Sequence, residues 1–406
     1  MKKCGLLGEK LSHSYSPYIH GMLGKYEYAL FEKSREDVEE FIKQGDFDGI
    51  NVTIPYKKVA FALCDEVSDE AKRLGNVNTV VRRKDGSLFG TNTDYYGFCY
   101  TVKRSGVSVF GKKAIVLGSG GASSTVCVVL RELGAKEVTV ISRNGEDNYE
   151  NLEKHYDAEI IVNATPVGMY PKTDSSLIEL ERFGKCVGVF DVIYNPAKTK
   201  LLLDAERLGI AHENGLAMLV AQAKASAEYF AGEKIEDSEI ERMLKKLSAD
   251  MKNIILVGMP GSGKSTIGKL IAEESKRRFV DIDEYIARKA GISIPQIFEK
   301  SGEEGFRRLE TQALREVCRE SSLVIATGGG CVTREENYPA LHQNGTIIWI
   351  KRELSDLAKE GRPLSQGNLN EMYERRKPMY EWFCDFEVTN EGNASDVARK
   401  CLDIIK

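Results

Sequence analysis

Short apolar runs alternate with helical patterns along the chain, and this alternation predicts its main elements. Early on, YEYALFEK, GINVTIP and VNTVV read as strands between helical stretches, which indicates a separate α/β region. From Ala114, AIVLGSGGASSTVCVVLRELG runs from a buried strand through glycines into a helix, and the strand EVTVIS follows. Strand, glycine turn, helix and strand form a βαβ unit, so this part of the chain predicts a parallel sheet.

The last third of the chain begins with a new strand. MKNIILVG, from Met251, is an apolar run that leads into a second glycine-rich loop and a helical pattern. Before it, IEDSEIERMLKKLSAD reads as a charged helix end, and the connector around KKLSADMKN is short and charged, as a tether would be. Further upstream, GLAMLVAQAKASAEYF, from Gly215, is an amphipathic helix expected to return to the first α/β region.

These patterns predict two fused α/β proteins. The first, residues 1–248, combines an α/β substrate region (1–105 and 215–245) with a Rossmann dinucleotide-binding region (106–214). The second, residues 251–406, is predicted to be a P-loop domain built on a parallel sheet. A length of 406 residues agrees with this division, because a single hydrophobic core rarely serves so long a chain.

Composition and charge narrow the classes of function. The chain is 42% hydrophobic and 29% charged, and its net charge of −4 without a concentrated basic stripe argues against nucleic-acid binding. Nine scattered cysteines without a CxxC pair predict reduced thiols in the cytoplasm, with neither disulfides nor a zinc site. The apolar stretch after Met1 soon meets Glu9 and Lys10, and no run approaches the ~18 residues of a membrane span. We therefore expect small-molecule partners and neither export nor membrane association, while an oligomer stays open.

The glycine turn of the βαβ unit is typical of a dinucleotide site. Gly118, Gly120 and Gly121 lie where the backbone approaches a pyrophosphate, at a helix N-terminus whose free N–H groups attract anions. The third glycine of the usual fingerprint is replaced by Ser123. After the second strand, where NAD enzymes usually place a carboxylate, the chain has Arg143, which suits the 2′-phosphate of NADP. The alternative is a solvated surface arginine.

Two charged residues upstream have the chemistry that hydride transfer requires. Lys57 follows a strand in INVTIPYKK, and Asp94 begins a helix in GTNTDYYGF. A Lys–Asp pair can pass a proton to the oxygen of a ketone as hydride arrives at its carbon. Taken singly, either residue would be an ordinary surface charge.

Seven motifs of the first half resemble shikimate dehydrogenase over residues 1 to about 245: LSHSYSP, NVTIPYK, GNVNTV, NTDYYGF, GSGGAS, NATPVGM and NGLAMLVAQA. The resemblance implies reduction of 3-dehydroshikimate to shikimate with NADPH, with Lys57 and Asp94 as the catalytic pair. It also implies that Ser14 and Ser16 hold the substrate carboxylate, and their i, i+2 spacing on extended chain turns both hydroxyls to one side. The further implied contacts are Thr53, Asn78, Thr93, Tyr194 and Gln222 for the substrate, and Gly118, Gly120, Gly121, Ala122, Arg143, Thr165 and Gly215 for NADP(H).

One departure from that family concerns the cofactor loop. Members often carry Asn-Arg-Thr there with a second arginine soon after, whereas this chain has Ser142 before Arg143 and Asp147 near the second position. We therefore expect a weaker preference for NADP over NAD than is usual.

The second glycine-rich loop fits a specific phosphate-binding motif. GMPGSGKST matches G-x-x-x-x-G-K-[ST] between a predicted strand and a helix, which is the context that the motif requires. Lys264 would reach the β- and γ-phosphates of a nucleotide, and Ser265 would bind Mg²⁺. The predicted nucleotide contacts are Gly261, Ser262, Gly263, Lys264, Ser265 and Thr266.

Five later segments indicate the acceptor: VDIDEYI, FRRLE, ATGGG, GRPL and ERRKPMY follow in an order that resembles shikimate kinase, over residues 252 to about 400. The resemblance implies phosphorylation of the 3-hydroxyl of shikimate by MgATP. Asp283 would orient that hydroxyl, and Lys264 and Arg362, the latter on the lid over ATP, would stabilise the transferring group. The residues further implied to bind the substrate are Arg307, Gly329, Gly330 and Arg376, and FRRLE also contains Glu310. Asp281 and Ser265 are implied to bind Mg²⁺.

This half also departs from its family, because Lys359 is the nearest cation where an extra arginine is expected before the lid. We expect ATP affinity or lid closure to suffer. Each segment alone would be unremarkable, since a DxD sequence often caps a helix and arginine-rich helices usually face solvent.

Together the resemblances predict a bifunctional enzyme of chorismate and aromatic amino acid biosynthesis, in which the first product is the second substrate. Two alternatives stay open. One is a quinate dehydrogenase joined to another small P-loop kinase, since quinate differs by one hydroxyl on the carboxylate-bearing carbon. The other is that one half is a non-catalytic module, against which the intact Lys57, Asp94, Lys264 and Asp283 argue.

Overall fold

The structure, a computed structural model of the chain, describes residues 1–11, 14–357 and 369–405. Its residues form two compact units. The boundaries predicted at residues 248 and 251 stay a prediction, since unit 2 also takes in two short segments from the region predicted to be Rossmann. Unit 1 contains Met1–Val167, Ser176–Tyr194 and Asp204–Leu244, and unit 2 contains Gly168–Ser175, Asn195–Leu203 and Lys245–Lys406.

The first sheet of unit 1 has six strands: β1 (Lys3–Gly8), β2 (Glu27–Glu32), β3 (Gly49–Val52), β4 (Glu66–Val67), β5 (Thr79–Arg82) and β6 (Leu88–Thr91). Their order is β2-β1-β3-β5-β6-β4, with β1 parallel to β2 and β3, and β5 antiparallel to β3 and β6. Leu7, Ile50 and Val80 from three strands share a core with Ile42 and Ala60 from two helices. The helices of this region are α1 (Ser16–Leu23), α2 (Val38–Gln44), α3 (Lys57–Leu63), α4 (Asp69–Leu74) and α5 (Thr93–Ser105).

The second sheet of unit 1 is entirely parallel, as the βαβ pattern predicted. Its strands are β7 (Lys113–Leu117), β8 (Glu137–Ile141), β9 (Ile160–Asn163), β10 (Gly188–Asp191) and β11 (Ala211–Glu213). The order is β11-β10-β9-β7-β8, and helix α6 (Gly121–Glu132) connects β7 to β8. Because β7 has β8 on one side and β9 on the other, its carboxyl end is a topological switch point, the usual place for a ligand in such sheets.

Three further helices follow: α7 (Lys200–Arg207), α8 (Leu216–Ala231) and α9 (Ser238–Met251). Phe230, near the end of α8, packs with Cys4 and Tyr26, so this helix returns to the first region as predicted. The segment expected to be a tether is mostly the second half of α9. Its apolar residues recur at helical spacing among the charges and are buried, at Ile240, Met243, Leu244, Leu247 and Met251.

The sheet of unit 2 contains β12 (Asn253–Val257), β13 (Arg278–Asp281), β14 (Leu323–Ala326), β15 (Gly345–Lys351) and β16 (Phe386–Thr389), all parallel in the order β13-β14-β12-β15-β16. Ile255 and Val257 face one core, and Ile254 and Leu256 face another, so helices cover both faces. The predicted α/β class is confirmed. The helices are α10 (Lys264–Ser275), α11 (Ile282–Ala290), α12 (Ile294–Val317, broken at Gly302), α13 (Tyr338–His342), α14 (Leu369–Phe383) and α15 (Ala394–Ile405).

Two short segments from earlier in the chain complete unit 2. The side chain of Gln343 donates a hydrogen bond to the Thr173 carbonyl (3.1 Å), and the Gln343 carbonyl accepts one from the Lys198 amide (2.8 Å). The Asn344 side chain accepts a hydrogen bond from the Ala197 amide (3.1 Å). Gln343, Asn344 and Thr173 are buried, and no sequence pattern predicted these contacts.

Candidate active sites

A cavity of about 320 Å³ in unit 1 collects most of the residues predicted to bind the first substrate. Thr93 lies outside its wall but is hydrogen-bonded to two wall residues, Asn78 (3.1 Å) and Gln222 (3.5 Å). The expectation of extended chain between the two serines was wrong, because Tyr15 is helical (φ −78°, ψ −6°) and Ser16 begins α1. The Ser16 amide donates to the Ser14 hydroxyl (3.2 Å), and Ser12 and His13 of the same motif are outside the described residues. The predicted residues in the wall are Ser14, Ser16, Thr53, Lys57, Asn78, Asp94, Ala122, Tyr194, Gly215 and Gln222.

The predicted catalytic pair is assembled in this wall. Lys57 Nζ lies 2.5 Å from Asp94 Oδ2, and the two side chains are only 24% and 16% exposed. Lys57 is the first residue of α3, and Asp94 lies in the first turn of α5. Asn92 caps α5 by accepting a hydrogen bond from the Asp94 amide (3.1 Å), and the helix dipole favours a carboxylate in a first turn. Two charges far apart in sequence thus form one ion pair in the cavity.

A buried hydrogen-bond network orients the amide side chains of the wall. Asn78 Oδ1 accepts from the Thr93 amide (2.7 Å) and from the hydroxyls of Thr93 and Thr79 (both 3.1 Å). Its amide nitrogen is therefore the group that can face a ligand hydroxyl. Asn51, which the sequence analysis missed, lines the cavity and donates to Thr79 (3.1 Å). Asn51 precedes Thr53 by two residues, and on an extended chain such residues lie on the same side. This spacing could have identified Asn51 from the sequence.

The opposite wall of the cavity is formed by an aromatic contact of Tyr194 and by close packing of the backbone at Gly215. The ring of Tyr194 meets that of Tyr15 edge to face, with centroids 6.0 Å apart, and burial raises the pKa of Tyr194. A Cβ at Gly215 would overlap the Val192 carbonyl, so only glycine lets the chain turn there into α8.

The glycine loop after β7 has the space and the backbone that a dinucleotide requires. Gly118 has φ 100°, and a Cβ there would lie 2.6 Å from the Thr165 side chain, so both predicted residues meet at the switch point. A Cβ at Gly120 or Gly121 would meet nothing within 4 Å, which leaves the N-terminus of α6 open to a pyrophosphate. Ser123 is buried in α6, where a small side chain packs in place of the usual third glycine.

The loop after β8 carries the predicted specificity residue. Arg143 is exposed, and it lies near Tyr149: burial raises the pKa of Tyr149, and the Arg143 charge opposes this. The Asp147 carboxylate, whose presence suggested a weaker NADP preference, lies 2.8 Å from His155 Nε2. Asp147 is therefore held by a partner close to it in the chain, while Arg143 stays accessible.

In unit 2, the loop after β12 has the backbone of a phosphate cradle. Gly258, Gly261 and Gly263 have φ values of 146°, 88° and 96°, which side chains rarely allow. Lys264 is buried, and its ammonium donates to the carbonyls of Gly258 (2.8 Å) and Met259 (3.0 Å). The loop thus wraps around the charge that is predicted to meet the phosphates.

The two residues predicted to bind Mg²⁺ lie together. The Ser265 hydroxyl donates to Asp281 Oδ2 at 2.6 Å, so a hydroxyl and a carboxylate oxygen meet at the start of α10. In the described part of the chain, no three His, Cys, Asp or Glu side chains form a metal-binding group. Mg²⁺ usually takes one or two protein oxygens plus substrate phosphates, so this pair fits it.

The predicted acceptor site converges on the three glycines after β14. Arg307 Nη1 lies 2.6 Å from Glu310 Oε2, and the two residues are 5% and 0% exposed. Burial raises the pKa of Glu310, although Arg307 opposes this. A Cβ at Gly330 would overlap the Arg307 guanidinium, and one at Gly328 would overlap Glu310 Oε1 and lie 3.1 Å from Asp283 Oδ1. Glycine therefore allows these charged groups to approach the loop.

Arg376 completes this cluster by donating to the Gly329 carbonyl (3.0 Å). Among the described residues, Arg307 Nε and Arg376 Nε are buried without a hydrogen-bond partner, which suits guanidinium groups that await an anionic ligand. Arg362 is outside the described residues, as is Lys359.

Sequence analysis missed two residues that support the loops of unit 2. The Tyr380 hydroxyl donates to the Gly329 carbonyl. Tyr380 follows Arg376 by one helical turn, and this spacing could have identified it from the sequence. The Asn390 side chain donates to the Ser262 carbonyl (2.8 Å) from the far end of the domain, and no local pattern indicated it.

Comparisons with known proteins agree with this geometry. Residues 6–80 match the family described as the shikimate dehydrogenase substrate binding domain, and residues 260–406 match the shikimate kinase family. The chain is 36% identical over 268 residues to shikimate dehydrogenase (NADP(+)) of Clostridium perfringens (strain SM101 / Type A), a match that covers 61% of this chain and 98% of that protein. The chain belongs to the shikimate dehydrogenase family.

Solved structures of shikimate dehydrogenases are also similar. A chorismate mutase/shikimate 5-dehydrogenase fusion protein from Clostridium acetobutylicum is 36% identical with a TM-score of 0.58, over 61% of this chain and 97% of that chain. Shikimate 5-dehydrogenase from Thermus thermophilus, in complex with NADP(H) and shikimate, is 32% identical with a TM-score of 0.55. The match covers 61% of this chain and 99% of that chain. The predicted order, a shikimate dehydrogenase followed by a shikimate kinase domain, is confirmed. Among the described helices, none has the length and apolarity needed to cross a membrane.

Proposed function

We propose that this chain reduces 3-dehydroshikimate to shikimate with NADPH and then phosphorylates the 3-hydroxyl of shikimate with MgATP. The observation that carries the proposal is that each half holds its own set of chemical groups. The Lys57–Asp94 pair lies in the cavity of unit 1, and the Arg307 cluster follows the phosphate loop of unit 2. The use of NADPH and ATP and the free state of the nine cysteines both favour the cytoplasm.

In the first reaction, Lys57 is the proton donor to the carbonyl oxygen of the substrate. NADPH supplies the hydride to the carbonyl carbon when it is bound. Asp94, 2.5 Å from the ammonium, forms an ion pair that holds the Lys57 side chain in the cavity wall. The proton and the hydride together convert the ketone to an alcohol, and the reverse direction uses the same two residues.

Hydroxyl and amide groups around that pair fix the substrate. Ser14 and Ser16 both line the cavity, and their hydroxyls are donors that suit the carboxylate. Thr53, Asn78 and Gln222 face the ring hydroxyls from the remaining wall, with Asn78 offering its amide nitrogen. A site of this kind rejects analogues that lack a hydroxyl, because its buried polar groups would then stay unpaired.

In the second reaction, two guanidinium groups bind the carboxylate of shikimate, and one carboxylate of the protein accepts the proton of its 3-hydroxyl. Arg307 and Arg376, each with an unused Nε, would hold the shikimate carboxylate. Asp283 would accept the proton of the 3-hydroxyl as its oxygen bonds to phosphorus. MgATP supplies the phosphoryl group when it is bound, and Lys264, Ser265 and Asp281 are the residues that would hold it.

Two assays on the purified full chain test this proposal. Shikimate with NADP⁺ should yield NADPH absorbance, and shikimate with MgATP should yield ADP in a coupled assay. Quinate is the control substrate for both reactions. Turnover with quinate but not shikimate would favour the alternative pair of enzymes, and a lack of turnover with either would refute the proposal.

A further inference from the structure

Tyr28, on the edge strand β2, contacts the wall of the dehydrogenase cavity. Its hydroxyl donates a hydrogen bond to Asn51 Oδ1 at 2.7 Å. Asn51 lines the cavity, so the phenol reaches a part of the wall that is distant from it in sequence.

The hydrogen bond from Tyr28 decides which way the Asn51 amide faces. Burial raises the pKa of Tyr28 well above its usual range, so near neutral pH the hydroxyl keeps its proton and donates. A donor selects the amide oxygen, and Asn51 Nδ2 therefore turns to Thr79 Oγ1 (3.1 Å) and the Asn78 carbonyl (3.4 Å). Without this donor, the amide would be held only through the hydrogen bonds of its nitrogen, and its oxygen would lose the Tyr28 hydroxyl.

From Asn51 the network continues to the residues proposed to bind the substrate ring. The Thr79 hydroxyl donates to Asn78 Oδ1 (3.1 Å), and Thr93 contacts both Asn78 and Gln222. Asn51, Asn78, Thr79 and Thr93 are all buried, so the loss of one partner weakens a network of hydrogen bonds that strengthen one another. A change at Tyr28 is thus transmitted to the groups that meet the substrate.

The ring of Tyr28 is held independently of its oxygen. It stacks on the ring of His20, with centroids 4.0 Å apart and planes 7° apart. His20 is buried, and burial lowers its pKa to about 3, so a neutral ring faces Tyr28 in any ordinary assay. Removing the Tyr28 hydroxyl should therefore leave the aromatic packing in place.

We propose that Tyr28 is a positioning residue for shikimate in the first reaction: through Asn51, its hydroxyl holds in place the groups that bind the substrate. This inference rests on the proposed dehydrogenase function. Tyr28 acts through its partners, so it should affect the binding of shikimate and leave the hydride transfer step nearly unchanged.

Tyr28→Phe tests this, with Tyr26→Phe as the matched control. The Tyr26 hydroxyl is also hydrogen-bonded, to His20 Nδ1 (2.7 Å), and its ring lies 6.4 Å from that of Tyr28, but its partner is the His20 ring and not the Asn51 amide oxygen. Loss of one buried hydrogen bond should raise the KM for shikimate about 5- to 30-fold in Tyr28→Phe. The kcat and the KM for NADP⁺ should stay within about twofold, and Tyr26→Phe should keep the KM of the unmodified chain.

A double-mutant cycle with Asn51→Ala sharpens the test. If Tyr28 acts through Asn51, the double variant should show little more than the KM increase of Asn51→Ala alone. An unchanged KM for shikimate in Tyr28→Phe would overturn the inference. An equal increase in Tyr26→Phe would also overturn it, because it would indicate that either substitution loosens the packing of the aromatic residues. Failure of the unmodified chain to oxidise shikimate would instead refute the proposed function, and that result needs no variant.

Discussion

Gly330→Ala tests whether the position of the Arg307 guanidinium governs shikimate binding in the kinase half. A Cβ at this position would overlap the guanidinium and lie 2.5 Å from its Nη1, well inside van der Waals contact. Gly330 has φ −112° and ψ 6°, values that other residues adopt, so the conflict is with Arg307 and not with the backbone.

Arg307 has little room to respond to the new methyl group. It is 5% exposed, and its Nη1 is bonded to Glu310, which is fully buried. The end of a long side chain can move without unfolding the domain, but then it leaves the place where the substrate carboxylate should bind. Overpacking of this kind costs about 1–3 kcal/mol, and if that cost falls on binding, the KM for shikimate rises about 5- to 150-fold.

Steady-state phosphorylation at saturating MgATP, with shikimate varied, measures this effect. Gly21→Ala is the matched control, because a Cβ there would meet nothing within 4 Å. We expect Gly330→Ala to raise the KM in the kinase assay, leave shikimate oxidation unchanged and shift the Tm by only a few degrees. An unchanged KM, or a large fall in Tm with loss of both activities, would show that the reasoning is wrong.

Three further substitutions separate the roles of individual charges. Arg143→Ala should raise the KM for NADP⁺ far more than that for NAD⁺, and equal use of both cofactors by the unmodified chain would contradict this. Lys57→Ala should lower the kcat of shikimate oxidation by about 10²- to 10⁴-fold while fluorescence titration still shows NADP⁺ binding; a near-normal kcat would place the proton donor elsewhere. Lys264→Ala should abolish phosphoryl transfer and preserve shikimate oxidation, and loss of both would show that the halves depend on each other.

The sequence predicts the elements of this protein better than their cross-connections. The β7–α6–β8 unit is a local signal, because its strand and helix periods and its glycines lie within one continuous stretch. The resemblance also predicted residues such as Lys57 and Asp94, which the structure brings together. The sequence analysis did not identify Asn51 and Tyr380, because their roles depend on hydrogen bonds to residues distant in the chain. The reason for glycine at position 330 likewise becomes visible only beside Arg307.

The composition of unit 2 bears on how such an enzyme can be divided. A gene fragment that starts at Lys245 would omit Gly168–Ser175 and Asn195–Leu203. The buried side chains of Gln343 and Asn344 would then lose the Thr173 carbonyl and the Ala197 amide. Water would replace these partners, and each lost hydrogen bond would cost about 0.5–1.5 kcal/mol of the roughly 5–15 kcal/mol that stabilises a typical domain. A single cut in the gene would therefore divide unit 2 and leave part of it with the dehydrogenase half.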